Sequence, residues 1–520
     1  MAERVVVVVG AGPVGLVLAL QLASRGRSVT VVERFPSTYP RPRAVAFDDE
    51  AARVLQSLGL MDEVLAVSKA GGNLYHWWNA DDECLLLIDN RGMGACGWPK
   101  KVQFTQPQLE EVLLRHARQH PLIDVRFGAE VVDVAQDSEG ATVTLAGGEV
   151  LRAGYVVGCD GANSIVRAHM DTDVVDLGFY YDWLILDVIP PTGWTVDPIS
   201  LQRCDPSRPA TIIPSGPGRR RWEFMVLPDD DVAGMDTEDT AWRLLEPWGL
   251  DSGNAVLERH TVYRFQARWA SRWNDGRLLL AGDSAHLMPP FAGQGLCSGI
   301  RDAANLAWKL DLVLAGTAHE SLLDTYTAER ALHVQHAIHF SIELGKVICI
   351  LDPEEAAERD RRMLQFAGAP ERVLPTLPAA AFDVGAVRLG AEGVAAFPAG
   401  TLSPQGRVRG NDGEGLLDDV IGSTGVLLVL AGAGDALTAD DRSALGVLGI
   451  PVVTVLPADA VPGADEVADL DGVHTDEFAR LGGVAVLVRP DLYYFGSAAD
   501  AADVVDLVRE FRGALIRVMV

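Results

Sequence analysis

Hydrophobic positions change their spacing along the chain, and each spacing predicts a different kind of element. Near the start, RVVVVV is an unbroken apolar run, the pattern of a strand buried on both faces. PVGLVLALQLASRG then reads as a helix ending at Gly26, and SVTVVE as a second buried strand, so residues 4–33 predict a βαβ unit. QPQLEEVLLRHARQH predicts a helix over 106–120. β-type segments follow around 125–134 and 141–145, and LRAGYVVGCD predicts a strand ending in a turn.

From about 178 to 268 the pattern becomes alternating, with Pro/Gly-rich turns, in YDWLILDV, ATIIPSGPG and RRRWEFMVL. This predicts an antiparallel sheet inserted into the α/β unit. The α/β pattern resumes at Gly276, with a long helix over 299–314 and helical segments to about 366. Residues 367–410 are rich in Ala, Gly and Pro and predict a linker. A third unit begins at about 411, where GVLLVLAG, PVVTVLP and VAVLVRPD are strands separated by helical segments. Its pattern over about 110 residues is similar to a thioredoxin-like fold, but it contains no cysteine, which excludes disulfide exchange. No repeat of 20–50 residues is visible.

Composition narrows the class. A chain of 520 residues exceeds one ordinary core, and 48% apolar with 22% charged residues fits a globular protein. With 44 Lys and Arg against 72 Asp and Glu, the formal charge of −28 argues against nucleic acid or an anionic membrane as a general partner. No apolar run has the length of a membrane span, and MAERVVVVVG lacks a signal-peptide pattern. The six cysteines are scattered without a C-x-x-C, which predicts a cytoplasmic protein with reduced thiols and no metal site.

Three motifs carry candidate chemistry. Gly10-Ala11-Gly12-Pro13-Val14-Gly15 follows a strand and opens a helix, with Glu33 ending the next strand 18 residues after Gly15. Gly10 permits the turn, Gly12 admits a diphosphate and Gly15 allows close packing, while an acid at 33 can accept hydrogen bonds from a ribose. This fingerprint does not separate NAD from FAD. Cys159-Asp160-Gly161-Ala162-Asn163-Ser164 places an acid and a glycine at a strand end; it reads as a phosphate or ribose contact or as a capped turn. In AGDSAHLMPPFAGQGL, Gly282 and Asp283 end a strand, Pro289 and Pro290 stiffen a wall, and Gly293-Gln294-Gly295 brings backbone N–H groups close. A helix start there stabilises negative charge.

The order of these motifs, with D-G about 150 residues after the first and G-D about 120 later, resembles the single-component FAD-dependent aromatic hydroxylases, the class A flavoprotein monooxygenases. YPRPRAVAFDDEAARVLQSLGL, FTQPQLEEVLL, QRCDPSRP, RRWEFMV, GQGLCSGIRDAANLAWKL and VRPDLYYFG are similar to the 3-(3-hydroxyphenyl)propionate hydroxylase branch. The resemblance implies a Rossmann-like FAD-binding domain over 1–177 and 269–366 with a helical extension, a substrate-binding sheet over 178–268, a linker over 367–410 and a thioredoxin-like domain over 411–520. It implies that Gly10, Gly12, Pro13, Gly15, Glu33 and Arg34 hold the ADP half of FAD. Arg43 then lies against the flavin side and Gln106 near the ribityl or phosphate region. Asp160 and Gly161 contact FAD, Gly282 and Asp283 bind its ribityl or diphosphate, and Pro290, Gly293, Gly295 and Leu296 border the isoalloxazine.

The implied reaction uses FAD, NADH or NADPH and O2 to hydroxylate a phenolic substrate through a C4a-hydroperoxyflavin. Substrate-lining candidates are Trp183, Gln202, Arg203, Arg221, Trp222, Phe224 and Met225, of which alternation turns about half away. His286 reads as structural or flavin-lining, the His76-Trp77-Trp78 cluster as core, and no catalytic base is assigned. An NAD-dependent dehydrogenase explains the first motif but neither of the others. A flavin halogenase lacks its W-x-W-x-I-P segment here, and a non-enzymatic flavin- or aromatic-binding protein stays open. The oligomeric state is open as well, with the C-terminal unit as candidate surface for a homodimer.

Overall fold

The computed structural model describes residues 5–40, 43–366, 381–422 and 424–516. Its first sheet runs in the order Asn274–Asp275, Leu278–Leu280, Tyr155–Gly158, Val6–Val9, Val29–Glu33, Ile123–Phe127. All pairings are parallel except that of the Asn274–Asp275 edge. The apolar runs are buried on both faces because helices Pro13–Ser24, Gln106–Gln119 and Gly295–Ala315 pack around them. Register aligns Val9, Gly158 and Leu280. The turns that follow these three strands therefore open at one carboxyl edge, although they lie far apart in sequence.

The expected β-segment over 125–134 is two strands. Gly128, at φ +67, ends Ile123–Phe127 and lets Val131–Gln136 leave for a three-stranded antiparallel sheet with Ala141–Leu145 and Val150–Ala153.

The second large sheet has eight strands, in the order His286–Leu287, Val256–Ala270, Val174–Ile189, Arg220–Met225, Ala210–Pro214, Ser200–Arg203, Leu74–Trp78, Cys84–Asp89. It is wider than the span 178–268. Ser200–Arg203 would otherwise be an open edge, and Leu74–Trp78 pairs with it in parallel. One face packs on helix Glu238–Leu245 and a tryptophan cluster. The other face looks toward the first sheet.

The C-terminal unit is a seven-stranded mixed sheet, ordered Glu414–Leu416, Arg407–Arg409, Glu466–Asp469, Val452–Leu456, Val426–Leu430, Ala485–Val488, Tyr494–Ala498. Helix Ala501–Ile516 packs on one face and Val473–Leu481 on the other. The linker expected over 367–410 lies outside the described residues from 367 to 380. The rest of it is packed rather than extended. Phe382, Val387 and Ala399 form a small core with Tyr493, and Arg388 pairs with Asp503 and Glu510. A buried ionic cluster joins this region to the first unit, with Arg489 bonded to Glu329 at 2.6 Å and to Asp491 at 2.5 Å, and Lys309 to Glu329 at 2.7 Å. Arg53 and Asp418 form a second buried pair at 2.7 Å.

Candidate active site

A cavity of about 910 Å³ runs from the carboxyl edge of the parallel sheet to the inner face of the eight-stranded sheet. That is near the upper end of the roughly 300–1,000 Å³ typical of ligand sites, more than a single phenol needs.

The first motif forms its floor at one end. Gly10 sits at φ +107, and a Cβ there would lie 2.3 Å from the Cys159 carbonyl oxygen. Gly12 has nothing within 4 Å of its Cβ position, so the backbone is open for a ligand to approach. Glu33 is turned onto this loop, accepting the Ala11 N–H at 2.9 Å and the Phe35 N–H at 3.0 Å. Arg34 lines the cavity beside it.

Asp160 also borders the cavity, but its Oδ2 accepts the Ile165 N–H at 2.7 Å, so part of its role is to hold the helix start that follows. Gln106 is buried and binds backbone, with its Oε1 accepting the Ala44 N–H at 2.9 Å and the Arg43 N–H at 3.2 Å. It thereby positions Arg43, whose guanidinium lies over the Tyr39 ring. Gln106 Nε2 donates to Glu110 at 2.7 Å, and burial pushes the Glu110 carboxyl up to about 7.

The third motif closes the other wall. Asp283 is open to the cavity yet deep in the molecule, and this desolvation raises its carboxyl against the pull of His286 and Arg43. Pro290, Gly293, Gly295 and Leu296 all border the cavity. Helix Gly295–Ala315 starts here without a side-chain cap, so its first N–H groups face the space. Gly299, expected to begin this helix, lies one turn inside it, and its close packing was not legible in the sequence. Its Cβ would lie 2.5 Å from Val14 Cγ2, so only glycine lets this helix seat on the first motif's turn. His286 is not in the cavity. It is buried with Nε2 2.7 Å from Asp302 Oδ2, and Arg330 holds the other oxygen at 2.9 Å.

The inner face of the eight-stranded sheet supplies the far end. Register sets Glu223 opposite Thr211, Thr211 opposite Gln202, Gln202 beside Trp77, and Trp77 opposite Leu86. All five border the cavity, with Tyr75 and Arg221 in the adjoining row. Phe291, Phe340 and Leu344 add apolar walls. Tyr75 Oη donates to Gln202 Oε1 at 3.0 Å, and Thr211 Oγ1 to the same oxygen at 2.8 Å. Arg221 is forked onto Asp187 at 2.8 and 3.0 Å, and its Nη1 donates to the Arg43 carbonyl at 2.5 Å.

The seven substrate-lining candidates therefore divide. Gln202 and Arg221 border the cavity, and Met225 is buried behind it in the same cluster as Trp183. Trp183 lies behind the wall, buried, with its ring 5.8 Å from that of Phe291. Trp222 and Phe224 face away and pack against Trp248. Arg203 also faces away, pairing with Asp82 and donating to the Ala80 carbonyl. Alternation along Arg220–Met225 is the reason: if Trp222 and Phe224 fill a core, Arg221 and Glu223 must face the other side. Charged residues alternating with aromatics in one strand were the available signal.

These features fit FAD. The first loop is open where a diphosphate would lie, two further strand ends converge on it, an uncapped helix start faces the cavity, and space remains beyond for an aromatic ring. Among the described residues no cluster could hold a metal ion, and no single helix is long and apolar enough to cross a membrane.

Comparison with known proteins agrees. Residues 3–341 match the family described as FAD binding domain, and residues 400–514 the HcaD C-terminal domain. A protein of Rhodococcus jostii (strain RHA1), named "Probable NADH-specific resorcinol 4-hydroxylase", is 38% identical over 98% of this chain and 95% of its own. The 3-(3-hydroxy-phenyl)propionate/3-hydroxycinnamic acid hydroxylase of Comamonas testosteroni is 32% identical over 94% of this chain and 93% of its own. Among solved structures, aklavinone-11 hydroxylase in ternary complex with FAD and aklavinone superimposes with a TM-score of 0.77 at 26% identity, covering 98% of this chain and 99% of that one. The chain belongs to the FAD-dependent aromatic hydroxylases, the class A flavoprotein monooxygenases that use a reduced nicotinamide coenzyme.

Proposed function

We propose that the enzyme hydroxylates a small uncharged phenol of the resorcinol type, with FAD as cofactor and NADH and O2 as co-substrates. The observation that carries this reading is the polar row Gln202, Thr211 and Glu223 in a cavity end walled by aromatic and aliphatic side chains, with the adjoining Arg221 already forked onto Asp187. Hydroxyl groups on a ring match such a row, whereas a substrate carboxylate would meet the acid at 223. The relative named for NADH and resorcinol, similar over nearly the whole chain, supports the same choice over a phenylpropionate.

Bound FAD supplies the redox and oxygen-transfer chemistry. The protein's part is to hold and enclose. Gly10, Gly12, Pro13, Gly15 and Glu33 hold the ADP half with Arg34 at its rim. Arg43, Gln106, Asp160, Gly161 and Asp283 would line the middle, with Gly282 buried against Val14 rather than in the cavity, and Pro290 with the amides of Gly293, Gly295 and Leu296 would border the ring system. Trp77, Leu86, Phe291 and Phe340 exclude water around the substrate. A cytoplasmic location fits the six unpaired cysteines, all of them free. The C-terminal unit is the candidate surface for a homodimer, which light scattering tests.

The deciding experiment follows NADH and NADPH oxidation by the yellow holoenzyme with resorcinol and with 3-(3-hydroxyphenyl)propionate, and identifies the products. Faster NADH oxidation with resorcinol and a trihydroxybenzene product are expected. Preference for the carboxylated phenol overturns the substrate assignment, and a protein that takes up no FAD overturns the cofactor assignment.

A further inference from the structure

We propose that Glu223 is the residue that accepts the hydrogen of the substrate's phenolic hydroxyl, as hydrogen-bond acceptor on binding and as proton acceptor during hydroxylation. The inference rests on the reading of this cavity as a phenol site. Glu223 lies near the middle of the eight-stranded sheet and its side chain turns to the cavity. An ionised carboxylate only accepts hydrogen bonds, so a hydroxyl in the cavity is its natural complement.

The surrounding groups leave this role to Glu223. The Tyr75 hydroxyl and the Thr211 hydroxyl both donate to Gln202 Oε1, and Gln202 Nε2 donates to the Ala210 carbonyl at 3.0 Å. Arg221 is held by Asp187 and the Arg43 carbonyl, with its Nη1 3.8 Å from Glu223 Oε1. The histidine of the Gly282-Asp283 segment is committed to Asp302. Asp283 lies at the other end, on the edge of the parallel sheet.

The titratable groups that act on Glu223 come from several strands of the sheet. Arg221 is on its own strand, Asp187 on Val174–Ile189, Arg259 on Val256–Ala270 and the Tyr75 hydroxyl on Leu74–Trp78. Burial raises the Glu223 carboxyl first, Asp187 adds to this, and the two arginines oppose it. A raised carboxyl is a better match for a phenol, which makes proton transfer less uphill. In that step the phenolic O–H bond breaks and an O–H bond forms on the carboxylate. The electron pair stays on the phenolic oxygen and feeds the ring carbon that gains oxygen, and the proton later passes to water.

The test compares wild-type holoenzyme with Glu223→Gln and Glu223→Asp. Equilibrium dialysis measures resorcinol and 1,3-dimethoxybenzene binding from mildly acidic to mildly alkaline pH, with the flavin spectrum and thermal unfolding as checks on folding. Wild-type affinity for resorcinol is expected to rise with pH as Glu223 ionises. Glu223→Gln is expected to bind resorcinol on the order of ten- to a hundredfold more weakly, without that pH dependence, and Glu223→Asp to retain it in part. The dimethyl ether, which has no hydrogen to donate, should bind both proteins alike. Resorcinol binding to Glu223→Gln with wild-type affinity and pH profile overturns the assignment. If Glu223→Gln does not fold, a flat wild-type pH profile with equal binding of the ether does so. A wild type that neither binds nor hydroxylates any phenol refutes the proposed function instead.

Discussion

Tyr493 gives the sharpest test of how the C-terminal unit bears on the cavity. Its hydroxyl donates to Glu50 Oε1 at 2.7 Å, and Glu50 Oε2 accepts from Arg301 Nε at 2.6 Å. Arg301 Nη1 donates to Gln294 Oε1 at 3.0 Å, and Gln294 precedes the helix start that borders the cavity. All of these side chains except Gln294 are buried. Tyr493→Phe removes one hydrogen bond to a buried carboxylate, about 1.5–3 kcal/mol, with the lower half expected because Arg301 still satisfies Glu50. If about half of that is realised only when the loop grips FAD, the affinity for FAD falls about fivefold.

Because several cores unfold in one chain, a single unfolding free energy is a poor readout. FAD titration of apoprotein in a cycle of Tyr493→Phe, Glu50→Gln and the double variant isolates the coupling, expected at about 1 kcal/mol. A shift of the flavin absorption bands should accompany it. Strict additivity of the two substitutions, with an unchanged flavin spectrum, would refute the idea that this chain of bonds reaches the loop.

Three further outcomes are expected. Gly10→Ala places a methyl 2.3 Å from the Cys159 carbonyl oxygen at a φ of +107, so the purified protein should be colourless and fail to bind added FAD. Trp222→Ala should destabilise its own core by about 3–5 kcal/mol, seen as an earlier transition in denaturant rather than as a global free energy, yet leave resorcinol affinity unchanged, whereas Gln202→Ala should weaken that affinity. Arg489→Leu removes the ion pair of Asp491 and leaves Glu329 with Lys309 and Asn305, so it should lower the thermal unfolding midpoint near neutral pH. Against burial, Arg489 and Lys309 hold the Glu329 carboxyl below its ordinary 4.5. Their contribution is therefore complete above that value and lost as pH falls below it, so acid unfolding curves of wild type and variant should converge at low pH.

Much of this protein was legible in its sequence because the information was local. RVVVVVGAGPVG carries a buried strand, a turn only glycine can make and a helix start within a dozen residues, so the turn that borders the cavity needed no partner to be seen. The same holds for Gly282-Asp283 and for the cysteine-free C-terminal α/β unit. What stayed hidden depended on pairing between distant segments. Leu74–Trp78 joins the substrate-side sheet only because it pairs with Ser200–Arg203, and that brings Tyr75 and Trp77 into the cavity. Alternation showed that Trp222 and Glu223 face opposite ways, but not which face meets the cofactor domain. Helix Glu238–Leu245 settled that by covering the tryptophan side. Likewise, nothing near Tyr493 in the sequence points to Glu50, and the residue acquires a partner 443 positions away only when two units pack. Backbone turns are set by neighbours along the chain, whereas the face a side chain presents is set by whatever packs against the opposite one.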